Sequence, residues 1–277
     1  MFDTNKSGRK KEDKMQVITS KDNEIIKNIR KLKEKKYRDL NNKYIIEGIK
    51  ILKEAIEENA KIDTIVVCEE YSKDGTLDKK LLYEIAKYNC VYVDRKVFLA
   101  LSDVQNPQGI LAVIQKENSE ENIDYKQDII VILDGIQDPG NLGTIIRTID
   151  SAGLSQIIIS NDTADCYNPK VVRSTMGAIF RVKIIESDNL VDTIKNLKRH
   201  KFKVMATSLE TDKNIYNIEY NKIAIIIGNE GNGVSKEVLQ AADIKAKIPM
   251  LGKTESLNAS VATGIILYEY VRKKVNE

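Results

Sequence analysis

From residue 129 onward the chain carries short, continuous runs of aliphatic, chiefly β-branched residues, separated by segments of helical period. The runs are 129–133, 156–160, 180–185, 203–207, 223–227 and 244–248, and the helical segments fall at 142–152, 169–176, 190–199, 234–241 and 257–274. Apolarity that is continuous rather than alternating means burial on both faces, so these runs predict a parallel sheet layered between helices. The first part of the chain repeats the rhythm on a smaller scale. An amphipathic basic helix is expected over 22–40 with Asp22 as its cap, followed by strand 44–46, helix 49–56, strand 62–68, helix 77–88, strand 91–93, a helical turn at 97–101 and strand 109–115. Residues 1–16 are polar and aperiodic and read as a disordered basic arm. The stretch 116–127 has no apolar period and reads as a linker between a domain at 17–115 and one at 128–277. A length of 277 residues agrees with two domains, at about 150 residues each.

Composition narrows the chemistry. The chain is 42% hydrophobic and 31% charged, the balance of a soluble globular protein. Its aliphatic runs are far below the roughly 20 residues of a membrane span, and the polar start lacks the apolar core of a secretory signal. A single histidine, His200, rules out a multi-histidine metal site, so no metal is expected, and a Ser-His-Asp triad would have to run through it. Three scattered cysteines, Cys68, Cys90 and Cys166, fit neither a CxxC motif nor a disulfide framework, which suits a reduced, cytoplasmic chain. The net charge of +3 is unevenly spread: residues 1–43 hold 14 Lys/Arg against 7 Asp/Glu, and the remainder is slightly acidic. A basic leading segment suits a polyanion such as RNA.

In open parallel sheets, ligands sit beyond the carboxyl ends of the strands. Three strand ends here open into loops rich in Gly and Asn: DGIQDPGNLG from Asp134 with Arg147 in the helix that follows, GNEGNGVS from Gly228, and PMLGKTESLNASVA from Pro249. Any one of them alone reads as a βα turn with a helix cap, and none is the GxGxxG of a nicotinamide-binding fold or a GxxxxGK[ST] phosphate loop. Together and in this order, DPGNLGTIIRTIDSAG, IIIGNEGNGVS and IPMLGKTESLNASVATGIILYE resemble the three motifs of the SpoU (TrmH-type) RNA 2′-O-ribose methyltransferases of the SPOUT class, across about 128–273. The unit at 17–115 is similar to the L30-like substrate-binding domain that precedes the motifs in many members that modify rRNA.

The resemblance implies an α/β fold whose C-terminal, Rossmann-like parallel sheet is tied in a deep trefoil knot. It implies S-adenosyl-L-methionine as cofactor, RNA as substrate, with 23S rRNA ahead of tRNA, and a homodimer formed through the C-terminal domain. A non-catalytic RNA-binding protein of the same fold is the contrasting possibility. By the same resemblance the catalytic set is Asn141, Arg147, Glu230, Ser256 and Asn258, and the cofactor would lie against Thr207, Gly228, Ile248, Met250, Leu257 and Asn258. Glu230 would orient groups in the site and pair with Arg147. A guanidinium with pKa above about 12 is a poor base, so Arg147 is expected to anchor phosphate and polarise the hydroxyl. Taken residue by residue, Asn141, Ser256 and Asn258 could equally cap helices, and His200 is expected to be exposed at a helix end with no catalytic part.

Overall fold

The computed structural model describes residues 16–116 and 123–276; the arm at 1–15 and the linker residues 117–122 lie outside the described residues. The first unit runs β1 (Val17–Ile18), α1 (Glu24–Lys31), α2 (Lys35–Asn41), β2 (Lys43–Glu47), α3 (Ile49–Glu57), β3 (Ile62–Cys68), α4 (Glu69–Lys73), α5 (Lys79–Ile85), β4 (Cys90–Val93), α6 (Arg95–Leu101) and β5 (Ile110–Gln115). Its strands are ordered β1-β4-β3-β5-β2, with β5 antiparallel to both of its neighbours. The second unit runs β6 (Ile129–Asp134), α7 (Pro139–Ser151), β7 (Gln156–Ser160), α8 (Pro169–Thr175), β8 (Lys183–Ser187), α9 (Leu190–Arg199), β9 (Lys203–Thr207), β10 (Ile223–Gly228), α10 (Lys236–Ala241), β11 (Ile244–Ala246) and α11 (Ala259–Val275).

The second sheet is ordered β11-β9-β10-β6-β7-β8, and every pairing in it is parallel. Its central strands are buried on both faces, as their unbroken apolar runs require. Ile129, Val131 and Leu133 point into one layer with Leu142, Ile145 and Ile149 of α7 and Ile266 of α11. Ile130 and Ile132 point into the other with Ile194 and Leu197 of α9 and Val238 of α10. Each such side chain contributes about 1.5–3 kcal/mol by burial. Register places Gly228 beside Asp134 and Ala246 beside Thr207, so the loops after these strands open on one edge of the sheet.

Several expectations need correction. The single helix over 22–40 is two helices, and the first is capped by Asn23, whose side chain accepts from the Ile25 amide at 2.9 Å, and not by Asp22. The break has a tertiary cause: Nη1 of Arg38 donates to the carbonyls of Leu32 (2.9 Å) and Lys33 (2.6 Å), and its Nε donates to Asp165 Oδ2 in the second unit at 3.0 Å. Arg38 is only 2% exposed, so this residue of the basic segment faces the protein and not a polyanion. The helix at 77–88 is confined to Lys79–Ile85 with Asp78 as cap, and α4 and β1 were not anticipated. Residues 178–180 form a 3₁₀ turn, which moves the next strand to Lys183–Ser187.

The two units are packed together. Tyr167, Val172 and Phe180 join the apolar cluster of the first sheet, and Tyr167 lies against Tyr44 with ring centroids 4.8 Å apart. Arg181 binds Asp150 of α7 through Nη2 at 3.0 Å and Glu54 of α3 through Nη1 at 2.6 Å.

Candidate active site

The site begins where β6 ends. Asp134 there accepts the Ser235 amide at 2.7 Å, which ties the loop after β10 to the loop after β6. The chain turns at Gly135 (φ 74°), a left-handed conformation that favours glycine. Asp138 then caps α7, accepting the amide of Asn141 at 2.8 Å, with Pro139 in the first turn. The cap is therefore Asp138, which leaves the side chain of Asn141 free to act elsewhere. An Asp-Pro pair ahead of a helical period was the sequence signal for this cap.

Asn141 joins the three loops. Its Nδ2 donates to Glu230 Oε1 at 2.8 Å, and its Oδ1 accepts from Nδ2 of Asn258 at 2.8 Å. Glu230 also accepts the amides of Gln137 (3.3 Å) and Asp138 (3.4 Å). Partial burial would raise the Glu230 pKa, but the Asn141 amide and these backbone donors outweigh it and hold the carboxyl below its ordinary value. Asn258 caps α11, accepting the amides of Ser260 (2.9 Å) and Val261 (3.3 Å). Capping and loop bridging thus coexist in one residue.

The loop that carries Glu230 is shaped by its own backbone. Asn229 and Gly233 exchange amide hydrogen bonds at 3.0 and 2.9 Å, and Asn229 Nδ2 donates to the Gly135 carbonyl at 2.7 Å. A Cβ at Gly228 would fall 2.1 Å from the Val234 nitrogen, so only glycine permits this close return. Asn229 was not singled out from the sequence; its Asx-type turn with the amides of Gly231 and Asn232 is a local signal that could have found it.

Arg147 stands apart from this network. It is exposed on α7, six residues beyond Asn141, and makes no ion pair or hydrogen bond among the described residues. Six residues are about 9 Å along a helix axis. The expected pairing of Arg147 with Glu230 is absent here: the carboxylate meets Asn141, and that helix rise separates Arg147 from it. Ser256 is exposed and is not part of the bonded chain.

The remaining residues gather at the carboxyl edge of β11, β9 and β10. Thr207 ends β9 and donates to the Ile226 carbonyl at 3.1 Å, and Gly228 ends β10. Ile248, Met250 and Leu257 follow β11 and are half-buried, and Leu251 is fully exposed. Ile248 packs on the core layer of the sheet, while Met250 and Leu257 are left only partly covered by the protein.

His200 is the exposed C-cap of α9 and stacks on Tyr125 with centroids 3.6 Å apart. The cysteines are free. Burial raises the thiol pKa of Cys68 to about 11 and lifts those of Cys90 and Cys166, which disfavours the reactive thiolate in each. Among the described residues no group of three or more His, Cys, Asp or Glu could hold a metal ion. No helix among them is long and apolar enough to cross a membrane.

Comparison with known proteins bears on this site. Residues 128–268 match the SpoU rRNA Methylase family, and residues 23–112 match the MRM3-like substrate binding domain. The chain is 33% identical to the 23S rRNA (guanosine(2553)-2′-O)-methyltransferase of Bacillus subtilis over 255 residues, covering 92% of this chain and 98% of that one. Among solved structures, an rRNA methyltransferase from Sinorhizobium meliloti superposes with a TM-score of 0.81 at 32% identity, covering 93% of this chain and 98% of the other. The AdoMet-bound form of that enzyme gives a TM-score of 0.80 at 31% identity over the same shares.

Proposed function

Because this chain belongs to the SpoU rRNA methylase family, we propose that it is an S-adenosyl-L-methionine-dependent RNA 2′-O-ribose methyltransferase acting on 23S rRNA. The observation that carries the reading is the chain of hydrogen bonds Glu230–Asn141–Asn258, which locks three sequence-distant loops at one sheet edge and leaves the Arg147 guanidinium unpaired.

When bound, the cofactor supplies a methyl group on a sulfonium whose departure leaves a neutral thioether. The protein must then position the ribose hydroxyl in line and manage its proton. Arg147 offers a fork of N–H donors to the phosphate beside that hydroxyl. It polarises the hydroxyl and does not accept its proton, which passes to solvent water as the oxygen takes the methyl group. Glu230, held ionised, keeps Asn141 oriented and the loops in register. Ser256 and Asn258 contact RNA or the cofactor loop at the start of α11. Thr207, Gly228, Ile248, Met250 and Leu257 form the cofactor's seat.

The same reading assigns residues 17–115 to substrate binding and 128–277 to methyl transfer. It includes the trefoil knot. In its support, β11 lies at the sheet edge beside β9, yet Asn258, twelve residues later, bonds Asn141 next to β6. The intervening segment therefore returns across β9 and β10. Homodimerisation through the C-terminal domain is supported by Val261 and Tyr268 of α11, each half-exposed. A cytoplasmic location follows from an rRNA substrate.

The test is to incubate the protein with methyl-labelled cofactor and RNA from a strain lacking its gene, then map the label. Label on one 23S rRNA ribose is expected. Label in tRNA would overturn the substrate, and cofactor binding without label in any RNA would favour a non-catalytic RNA-binding protein.

A further inference from the structure

The α8 helix sits between the two units and touches both. On one side it meets α7 at Gly143, where a Cβ would lie 2.5 Å from Ser174 Cβ and 2.7 Å from the Val171 carbonyl oxygen. On another side, Val172 is buried in the apolar cluster of the first sheet. Lys170 and Arg173, three residues apart, share the remaining outward face.

These two cations lack the partners that comparable arginines have. Arg38 is matched by Asp165, and Arg181 by Asp150, Glu54 and Glu58. The half-buried Arg173 has no side-chain hydrogen bond or ion pair among the described residues. Lys170 has only a loose contact with Asp138 at 3.9 Å, with side chains 59% and 50% exposed. Such a contact is worth little in water. At the start of α7 the Lys170 Cε lies 4.0 Å from the Cβ position at Gly140, and Arg147, without an ion pair among the described residues, lies further along the same helix.

We propose that this face of α8 is a phosphate track, on which Lys170 and Arg173 hold the RNA backbone between the substrate-binding unit and the target ribose. The proposal rests on the methyltransferase reading above. A guanidinium left without a carboxylate in a protein that pairs its other interfacial arginines points to an external anion. An RNA strand that contacts the first unit and delivers a ribose near Arg147 passes over the helix joining them. Asp138 meets Lys170 only loosely, through Oδ2, and keeps Oδ1 on the Asn141 amide, so Lys170 can turn to a phosphate while the α7 cap stays in place.

The test compares the wild type with Lys170→Ala, Arg173→Ala, the double variant and Arg173→Lys. RNA affinity is measured across a salt series, cofactor affinity by calorimetry, and kcat and KM on rRNA. Each lost phosphate contact should reduce the slope of log K against log salt by about 0.7 for single-stranded RNA. The double variant should therefore lose about 1.4 of slope, with the loss of activity falling on KM more than on kcat. Arg173→Lys should retain most of the slope, and Lys195→Ala, at an exposed α9 pair, should match the wild type. A double variant with wild-type slope and KM would overturn the proposal, as would a loss of cofactor affinity equal to the loss of RNA affinity. A wild type that neither binds nor methylates RNA would instead refute the function on which the proposal rests.

Discussion

Removing the carboxylate of Asp165 tests how the substrate-binding unit is docked. Arg38 is 2% exposed at the interface, and the Asp165 side chain 12%. In Asp165→Ala the guanidinium stays buried with the Leu32 and Lys33 carbonyls as its remaining partners. Breaking a buried pair by deleting one member costs about 3–5 kcal/mol, and the two surviving carbonyl bonds place the expectation near the lower end, about 3 kcal/mol. With a urea slope of about 2–3 kcal/mol/M, the unfolding midpoint should fall by about 1–1.5 M. Circular dichroism in a urea titration measures this. Lys195→Ala, which removes an exposed pair with Asp192, should move the midpoint by less than about 0.5 M. Asp165→Asn, which keeps an oxygen acceptor for the guanidinium and for the Tyr167 amide, should lose less than Asp165→Ala. A single-variant shift no larger than that of Lys195→Ala would refute the reasoning, and so would an Asn variant less stable than the Ala variant.

Three further outcomes follow from the site. Arg147→Ala should abolish methyl transfer while cofactor affinity by calorimetry stays within about threefold, below the 1.4 kcal/mol that a tenfold change represents; near-wild-type turnover would contradict its role. Glu230 has a folded pKa below its ordinary value of 4.5, so its contribution to stability is present above that pH and is lost as pH falls through the folded value. Glu230→Gln should therefore show a weaker loss of melting temperature than the wild type on acidification through that range, and identical pH profiles would remove the basis for the assigned ionised state. Gly143→Ala would press a methyl group onto the Val171 carbonyl at 2.7 Å; an overpacking cost of about 1–3 kcal/mol should lower the melting temperature, and an unchanged value would mean that α7 and α8 separate easily.

Much of the fold was legible because apolar runs in a two-face-buried strand need no tertiary information to be recognised. Ile129–Asp134 and Ile223–Gly228 are cases in point. The first helix was misread because its period continues through Leu32, while its hydrogen bonding does not. Arg38 takes the carbonyls there, and it does so because Asp165, far along the chain, holds its other side. In the site, the sequence brought Asn141, Glu230 and Asn258 to notice as members of three motifs, and the structure bonds those three to one another. It could not say which of them pair. The carboxylate of Glu230 meets Asn141 and not Arg147 because a helix rise separates the two along α7. The Asp138 cap was legible in its Asp-Pro pair, but only the structure shows that it frees Asn141 to bridge the loops.

The sequence by itself therefore determined the layered architecture, the two units and the three loops that converge on one sheet edge, since these depend on local periodicity and on residues that tolerate tight turns. The tertiary structure alone decided which polar groups satisfy one another across those loops, how the two units are docked through Arg38 and Arg181, and which cations remain unpaired. Those outcomes depend on distances of about 3 Å between residues a hundred or more positions apart, and no pattern along the chain encodes such distances.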